Sequence, residues 1–545
     1  MFILLSALLT HGLAGAAGSD EQAQPALIRA RIEQIQRAAL RAPDAAGSIA
    51  ADNLAVFYAQ RDHAPAWDDE SRRARLISAL EGLADDGLEP NDYLIEQLRR
   101  FPGTVAHDAS RRACADLMAT AAYLQALSHL AHGRLDPAAV EPLWRFEPSR
   151  DDVVNEILLL HAQADLDDPA RAFDRTRPST TLYRNLQRGL ARFHAMAAQG
   201  EWVSIPAGRS LRPGAVDPRV PLLRTRLSVP GDTSSTITDA DRYDDVLVDA
   251  VMRFQRRHHL EVDGIVGAAT LAALNVPLAA RIEQIRVNLE RARWLASITD
   301  ALSEYVLVDV AGAMISFRRD GETIWSARTQ VGRASRPTPL LKSEITHFTF
   351  NPTWTVPPTI LRKDKLPEIR RDIEYLARNR IRVIDYSGNE LDPAFIDWND
   401  PGAVLLRQDA GPDNALGRVA IRFPNPFAVY LHDTPSQRLF QRDQRTFSSG
   451  CVRVERAMEL VDLLIDSSHS IDRTRVDEII ESGETRNVSL ARPVPILIAY
   501  WTAEADADGE VRFRNDIYAH DDALVRALSA TAPLDEIIVS CNPAH

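Results

Sequence analysis

The chain has 545 residues, 45% of them apolar and 26% charged, an ordinary globular composition that is too long for one core and implies about two to four domains. Its 63 Lys and Arg against 76 Asp and Glu leave a net charge of −13, which argues against nucleic acid as a partner. No HExxH, CxxC or spaced His/Cys set occurs, and no phosphate-binding loop, so neither a metal nor another cofactor is expected.

Residues 1–17 join the apolar run Phe2-Ile3-Leu4-Leu5-Ser6-Ala7-Leu8-Leu9 to small residues at Ala14-Gly15-Ala16-Ala17, the pattern of an export signal with an A-x-A cleavage site. The basic leader is missing, since no Lys or Arg precedes Arg29. The run falls short of the ~20 residues a bilayer-spanning helix needs, so a membrane contact is expected only if the signal stays uncleaved. Of three cysteines, Cys114, Cys451 and Cys541, an exported chain usually leaves one unpaired. If that one is Cys451, Cys114 and Cys541 remain as a candidate bridge.

Residues 27–200 read as a helical scaffold, rich in Ala, Leu, Arg and Glu, with apolar spacings such as Leu117, Ala121, Leu124, Leu127 and Leu130. The aromatics in Phe57-Tyr58 to Trp67 read as core. A Pro/Gly-bearing stretch from Pro206 opens a second unit, residues 206–278. Its three helical pieces run through Val220, Leu223 and Leu227, through Leu247, Ala250, Val251 and Phe254, and through Thr270, Leu271 and Leu274. Asp263-Gly264 marks a tight turn between the last two. Residues 281–295 then show Ile282, Ile285, Leu289 and Ala292 on one face, an amphipathic connecting helix.

Beyond it the period shortens. Tyr305 to Val310, Met314 to Phe317, Thr323 to Trp325 and Arg328 to Val331 are short β-type runs, opening a mostly β domain over residues 303–500. Residues 357–405, with a charged helical piece from Leu361 to Arg378, read as an insertion of the kind that acts as a lid. Strand signals resume at Arg418 to Phe423 and again at Phe427 to Leu431, and residues 501–545 form a C-terminal extension. The fold class expected is therefore multi-domain α+β.

Chemistry concentrates near the end of that β domain. Cys451 lies in Thr446-Phe447-Ser448-Ser449-Gly450-Cys451-Val452-Arg453, and His432 stands nineteen residues upstream. A thiol attacks as thiolate and titrates near ~8.5 when free, so it needs a neighbouring base, which His432 supplies. Ser449 and Gly450 let a carbonyl approach and leave backbone NH groups for an oxyanion. From Arg407 to Arg453 there are seven Arg, four Asp and no Lys or Glu, a local excess of positive charge in an acidic chain. It reads either as a solvated basic face or as a site for a carboxylate-bearing substrate.

The segments Tyr430-Leu431-His432-Asp433-Thr434-Pro435 and Phe447-Ser448-Ser449-Gly450-Cys451-Val452-Arg453-Val454 closely resemble the signature of L,D-transpeptidases of the YkuD type. The unit around Ala250-Val251-Met252-Arg253-Phe254-Gln255 and Asp263-Gly264 resembles a three-helix peptidoglycan-binding domain. Asn288-Leu289-Glu290-Arg291 to Trp294, Asn351-Pro352-Thr353-Trp354 and Asn414-Ala415-Leu416-Gly417 extend the resemblance to the large YcbB-like subgroup. The resemblance implies Cys451 as nucleophile, His432 as base, and oxyanion NH groups at Gly450 and Cys451. It further implies an orienting carbonyl at Asp433 and 3→3 cross-linking of peptidoglycan without a cofactor. Arg453 is a candidate stem-carboxylate partner, with a structural ion pair as the alternative. Ser449 and Asp433 depart from the family's commoner His and Gly at those places. The implied partners are stem peptides, glycan and cell-wall synthesis proteins, in the periplasm or at the cell wall. An L,D-carboxypeptidase and a non-catalytic wall-binding scaffold remain as alternatives.

Overall fold

The computed structural model describes residues 10–40, 45–100, 108–146, 152–228, 241–468 and 471–530. The start of the expected export signal, residues 1–9, lies outside them, as does Cys541. Cys114 is disulfide-bonded and Cys451 is free.

Between 10 and 197 the described residues are helical apart from short links and the two-residue strand β1, Trp144–Arg145. The helix Ala109–His132 is its axis. Asp108 caps it by accepting from Ser110 N and Arg111 N, and Leu117, Ala121, Leu124, Leu127 and Leu130 are all buried. Phe57, Tyr58 and Trp67 pack into the same core. Asp116 holds the turn after them, accepting from the backbone NH groups of Ala66 and Trp67 and from the Tyr58 hydroxyl at 2.5 Å.

The second unit folds around Val220, Leu223, Leu247, Val251, Phe254 and Leu274. Its turn needs glycine: Gly264 has φ +68°, and a Cβ there would sit 2.8 Å from Val248 Cγ1. Gln255 ties the turn down, donating to Asp263 Oδ1 and the Ile265 carbonyl and accepting from Gly264 N.

The helix Leu278–Asp300 departs from the amphipathic connector that its apolar spacing predicts. It is buried on nearly every side, including Arg281, Asn288, Glu290, Arg291 and Arg293. Partners far along the chain explain this. Glu290 and Arg293, both fully buried, pair at 2.7 Å. Glu290 also accepts from Leu135 N, and Arg293 donates to the Asp86 carbonyl and the Tyr183 hydroxyl. Asn288 and Arg291 reach forward to Thr502 and Asp521. A buried charge persists only when paired and hydrogen-bonded, and Glu290 and Arg293 are both.

The third part is a ten-stranded sheet built on β2 (Glu304–Asp309), β3 (Met314–Arg319), β4 (Glu322–Gly332), β5 (Leu340–Phe350), β10 (Val419–Arg422), β11 (Leu431–His432), β12 (Thr446–Ser448), β13 (Val452–Val454) and β14 (Arg486–Ala499). The order runs β1-β5-β10-β11-β13-β4-β3-β2-β14, β12 joins β4, and β14 pairs again with β5, so the ladder closes on itself. Phe317, Val331, Phe348, Ile421, Leu431 and Val452 fill the interior. The scaffold enters the same ladder, because Trp144 pairs with Leu340 and Arg145 with Leu341 in parallel register.

Between β5 and β10 the chain leaves the sheet and folds a small unit with its own core of Val356, Leu366, Ile369, Leu376, Val383 and Leu406. The charged helical piece there is three short segments rather than one helix, the first a π-turn at Leu361–Lys365 that continues from Pro358–Ile360. They pack on a second sheet formed by β6 (Trp354–Thr355), β7 (Ile381–Ile384), β8 (Glu390–Leu391) and β9 (Leu405–Gln408), in the order β6-β9-β7-β8. Trp354 pairs with Gln408 and closes the neck. After β14 come a hairpin, β15 (Ala503–Ala505) with β16 (Val511–Phe513), and the helix Asp521–Ser529.

Candidate active site

β11 and β13 lie side by side in parallel register, Leu431 opposite Val452 and His432 opposite Arg453. Side chains alternate along a strand, so Tyr430, His432, Cys451 and Arg453 fall on one face. Cys451 thereby lies two residues back from the position opposite His432, immediately before β13. The apolar stretch before His432 is a loop up to Tyr430, although its composition suggests a strand from Phe427. Asn425 Oδ1 accepts from Phe427 N and Val429 N and curls the chain, leaving Ala428 at φ +54°. That strained residue presents its carbonyl 4.0 Å from Cys451 Sγ.

His432 is buried, and its Nδ1 lies 2.5 Å from the Asp433 carbonyl oxygen. A carbonyl only accepts, so Nδ1 carries the proton and Nε2 keeps its lone pair. Burial pushes the imidazole down to about 3. Nearby Arg453 adds to the shift, and the Asp433 hydrogen bond opposes it. Burial likewise pushes the Cys451 thiol up, against the pull of Tyr430, Arg422 and Arg453. At neutral pH the resting pair is therefore thiol and neutral imidazole.

The loop before the thiol is tightly tied. Gly450 has φ +118°, a conformation that favours glycine, although a Cβ would meet nothing closer than 3.5 Å. Its N–H donates to Ser448 Oγ at 3.1 Å, and its carbonyl accepts from Thr338 Oγ1 at 2.9 Å. Ser448 Oγ in turn donates to the Cys451 carbonyl. Ser449 Oγ accepts from Arg336, whose guanidinium also grips both carboxylate oxygens of Asp364 in the inserted unit. The Asp433 side chain faces away from the thiol. Its Oδ2 accepts from Arg418 N at 3.0 Å and sits where a Cβ on Gly417, at φ +63°, would be 2.5 Å away.

Arg453 donates to Gln330 Oε1 at 3.0 Å, and its buried Nε has no acceptor. Among the described residues no carboxylate pairs with it. Arg422 stands 3.9 Å from the ring centre of Tyr430. Arg145, from the scaffold strand, lies 5.6 Å over Phe427.

The structure thus brings Cys451, His432, Gly450, Ser449 and Arg453 into one neighbourhood, and puts the Asp433 carbonyl, not its carboxylate, on the imidazole. Sequence reasoning missed Tyr430, Arg422, Arg336 and Asp364. The first was findable from strand alternation, being two residues before His432. Arg336 and Asp364 meet across a fold that no local pattern announces. Among the described residues no group of His, Cys, Asp and Glu could hold a metal ion, and no helix is long and apolar enough to cross a membrane.

Residues 303–477 match the L,D-transpeptidase catalytic domain family, YkuD. Residues 216–274 match the "Putative peptidoglycan binding domain" and residues 52–190 the "Scaffold domain". A "Putative L,D-transpeptidase" of Haemophilus influenzae is 32% identical over 242 residues, 44% of this chain and 48% of that protein. The chain thus spans about half the length of this curated relative. An L,D-transpeptidase of Stackebrandtia nassauensis is 13% identical, with a TM-score of 0.20, over 53% of this chain and 94% of its own. One from Mycobacterium smegmatis is 15% identical, with a TM-score of 0.15, over 36% and 58%. At such scores these two structures carry no argument, and the fold rests on the ladder described above.

Proposed function

The chain carries a YkuD-type L,D-transpeptidase catalytic domain and a peptidoglycan-binding domain, and from that premise we propose that it forms 3→3 cross-links in peptidoglycan through a thioester on Cys451. One observation carries the reading: the register of β11 and β13 sets His432, with Nδ1 tied to the Asp433 carbonyl, beside Cys451. A base whose proton sits on the far nitrogen is ready to accept one on the near nitrogen.

Both groups rest neutral, so Sγ loses its proton to His432 Nε2 as it attacks the L-centre carbonyl of the third stem residue, a diamino acid. The oxyanion is met by the Cys451 N–H, joined by the Gly450 N–H once that turns from Ser448 Oγ. His432 then gives its proton to the departing amine as the peptide C–N bond breaks. The terminal D-Ala leaves and an acyl thioester remains. The side-chain amine of a second stem attacks that carbonyl, His432 takes its proton, and the thiol is restored. Arg453, with an unmet Nε, receives a carboxylate of the stem.

The peptidoglycan-binding unit holds the strand, and the inserted unit closes over the site as a lid. The implied setting is the periplasm or cell wall, after export on residues 1–17. The purified protein and its Cys451→Ala variant, given disaccharide-tetrapeptide, decide the matter by mass spectrometry. A cross-linked dimer with loss of D-Ala is expected, falling by at least about 10⁴-fold in the variant. Tripeptide without dimer would make the chain an L,D-carboxypeptidase. Equal turnover by both proteins would remove Cys451 from the mechanism.

A further inference from the structure

The oxyanion donors in the mechanism above are backbone N–H groups, so whatever fixes their peptide planes sets their aim. The turn between β4 and β5 grips the loop before Cys451 one residue at a time. Arg333 N donates to the Ser448 carbonyl at 3.1 Å, Arg336 to Ser449 Oγ at 2.8 Å, and Thr338 Oγ1 to the Gly450 carbonyl at 2.9 Å.

The last of these bonds reaches the nucleophile's own backbone. A peptide unit is planar, so the Gly450 C=O and the Cys451 N–H share one rigid plane and point opposite ways. Holding the carbonyl therefore aims the N–H, for which no described residue supplies an acceptor. Thr338 is fully buried, and its hydroxyl is set from both sides. Gly332 N donates to Oγ1 at 2.9 Å, which leaves the single hydroxyl proton for Gly450.

Thr338 is held in turn from the C-terminal extension. Tyr518, between β16 and the helix Asp521–Ser529, accepts from Thr338 N at 3.0 Å and donates to the Gly332 carbonyl at 2.8 Å. Gly332 and Thr338 are thus joined twice, once through the Thr338 hydroxyl and once through that of Tyr518. The phenol is itself fixed: its ring stacks on Tyr500 with centres 5.6 Å apart, and Tyr518 N donates to the Tyr500 hydroxyl, which donates to Asp516. Both hydroxyl protons are spent inside this path, on the Gly450 and Gly332 carbonyls, so neither serves the thiol or the imidazole.

We propose that Thr338 and Tyr518 are positioning residues of the oxyanion hole: Thr338 holds the Gly450-Cys451 peptide plane and Tyr518 holds Thr338, so that the C-terminal extension aims the Cys451 N–H. This deepens, and rests on, the reading of Cys451 as the thiol that takes up an acyl group.

The test uses the full chain, its Thr338→Val, Thr338→Ser and Tyr518→Phe variants, and two reagents that separate the oxyanion from the thiol. Acylation by p-nitrophenyl acetate passes through a tetrahedral oxyanion: Sγ bonds to the acetyl carbon, its proton goes to His432, and nitrophenolate leaves. Iodoacetamide alkylates Sγ by displacing iodide and forms no oxyanion. Both rates are read from the intact mass of the adduct, with Cys451→Ala as the blank. Loss of a whole oxyanion donor costs about 10²–10³-fold, so a misaimed one should slow acylation at least about tenfold in Thr338→Val and, one link further back, about threefold in Tyr518→Phe. Thr338→Ser keeps the hydroxyl and should restore most of the parent rate. Alkylation should hold in all three variants, which also shows that the site is folded. Parent-rate acylation in Thr338→Val, alkylation slowed as much as acylation, or Thr338→Ser as slow as Thr338→Val overturns the proposal. Parent-rate acylation in Tyr518→Phe overturns the part given to the C-terminal extension. The ester needs only a thiol and an oxyanion donor, so a parent that acylates but does not cross-link stems fails the functional reading and leaves this one standing.

Discussion

Two arginines, the buried Arg293 and the half-buried Arg453, treat their charge in opposite ways. On the helix Leu278–Asp300, Arg293 and Glu290 are paired at 2.7 Å, and every remaining polar atom of the pair is taken up by Asp86, Tyr183, Leu135 or Trp294. Around Cys451, Arg453 is packed against Gln330 with its Nε unmet. The first arrangement is finished and holds three parts of the chain together. The second is incomplete, and an incomplete cationic group beside a nucleophile is where an anionic substrate group belongs.

The contrast breaks most visibly at Glu290. Glu290→Gln strands a fully buried guanidinium and should cost about 3–5 kcal/mol in urea unfolding. A loss under about 1 kcal/mol would mean that the helix does not depend on the pair. Arg453→Gln should do the reverse, leaving Tm unchanged or raised while kcat/KM falls about tenfold to 150-fold, the worth of a charge-assisted hydrogen bond of about 1.5–3 kcal/mol. If Tm falls and kcat/KM holds, Arg453 is structural and the comparison collapses.

A subtler probe is the link from the inserted unit to the nucleophile loop. Arg336→Gln and Asp364→Asn should each shift stability or KM by about 1 kcal/mol, and the double variant should cost no more than either alone. Additive losses would show that the two side chains act independently. Smallest is an acid effect at His432. Its folded pKa is depressed, so the unfolded chain, near ~6.5, takes up the proton first. Stability present above that pH is lost as pH falls toward about 3. Urea midpoints at pH 7 and pH 4.5 should therefore differ less in His432→Asn than in the parent.

What could be read from the sequence follows from where the information lies. The helix through Leu117 to Leu130, the Asp263-Gly264 turn and the runs at Tyr305 and Met314 carry their periods locally. The Cys451 segment carries its chemistry in a short stretch, with His432 a strand away. The helix Leu278–Asp300 misleads because Glu290, Arg291 and Arg293 read as a solvent face when their partners include Leu135, Asp86, Tyr183 and Asp521, distant in the chain. The inserted unit's sheet was out of reach for another reason: β6 and β8 are two residues long, too short to show any alternation. The loop at Phe427 fooled composition because one asparagine side chain, Asn425, outweighs the strand preference of its neighbours.

The pairing of Trp144 and Arg145 with Leu340 and Leu341 bears on anyone wishing to cut the protein into pieces. A fragment trimmed to the catalytic sheet alone would present that stretch of β5 as a bare, apolar edge, the surface on which strands of separate molecules stack. The helical region therefore acts as a sheath for the sheet's seam, and a soluble minimal version of the domain would have to carry those two residues or a charged substitute for them.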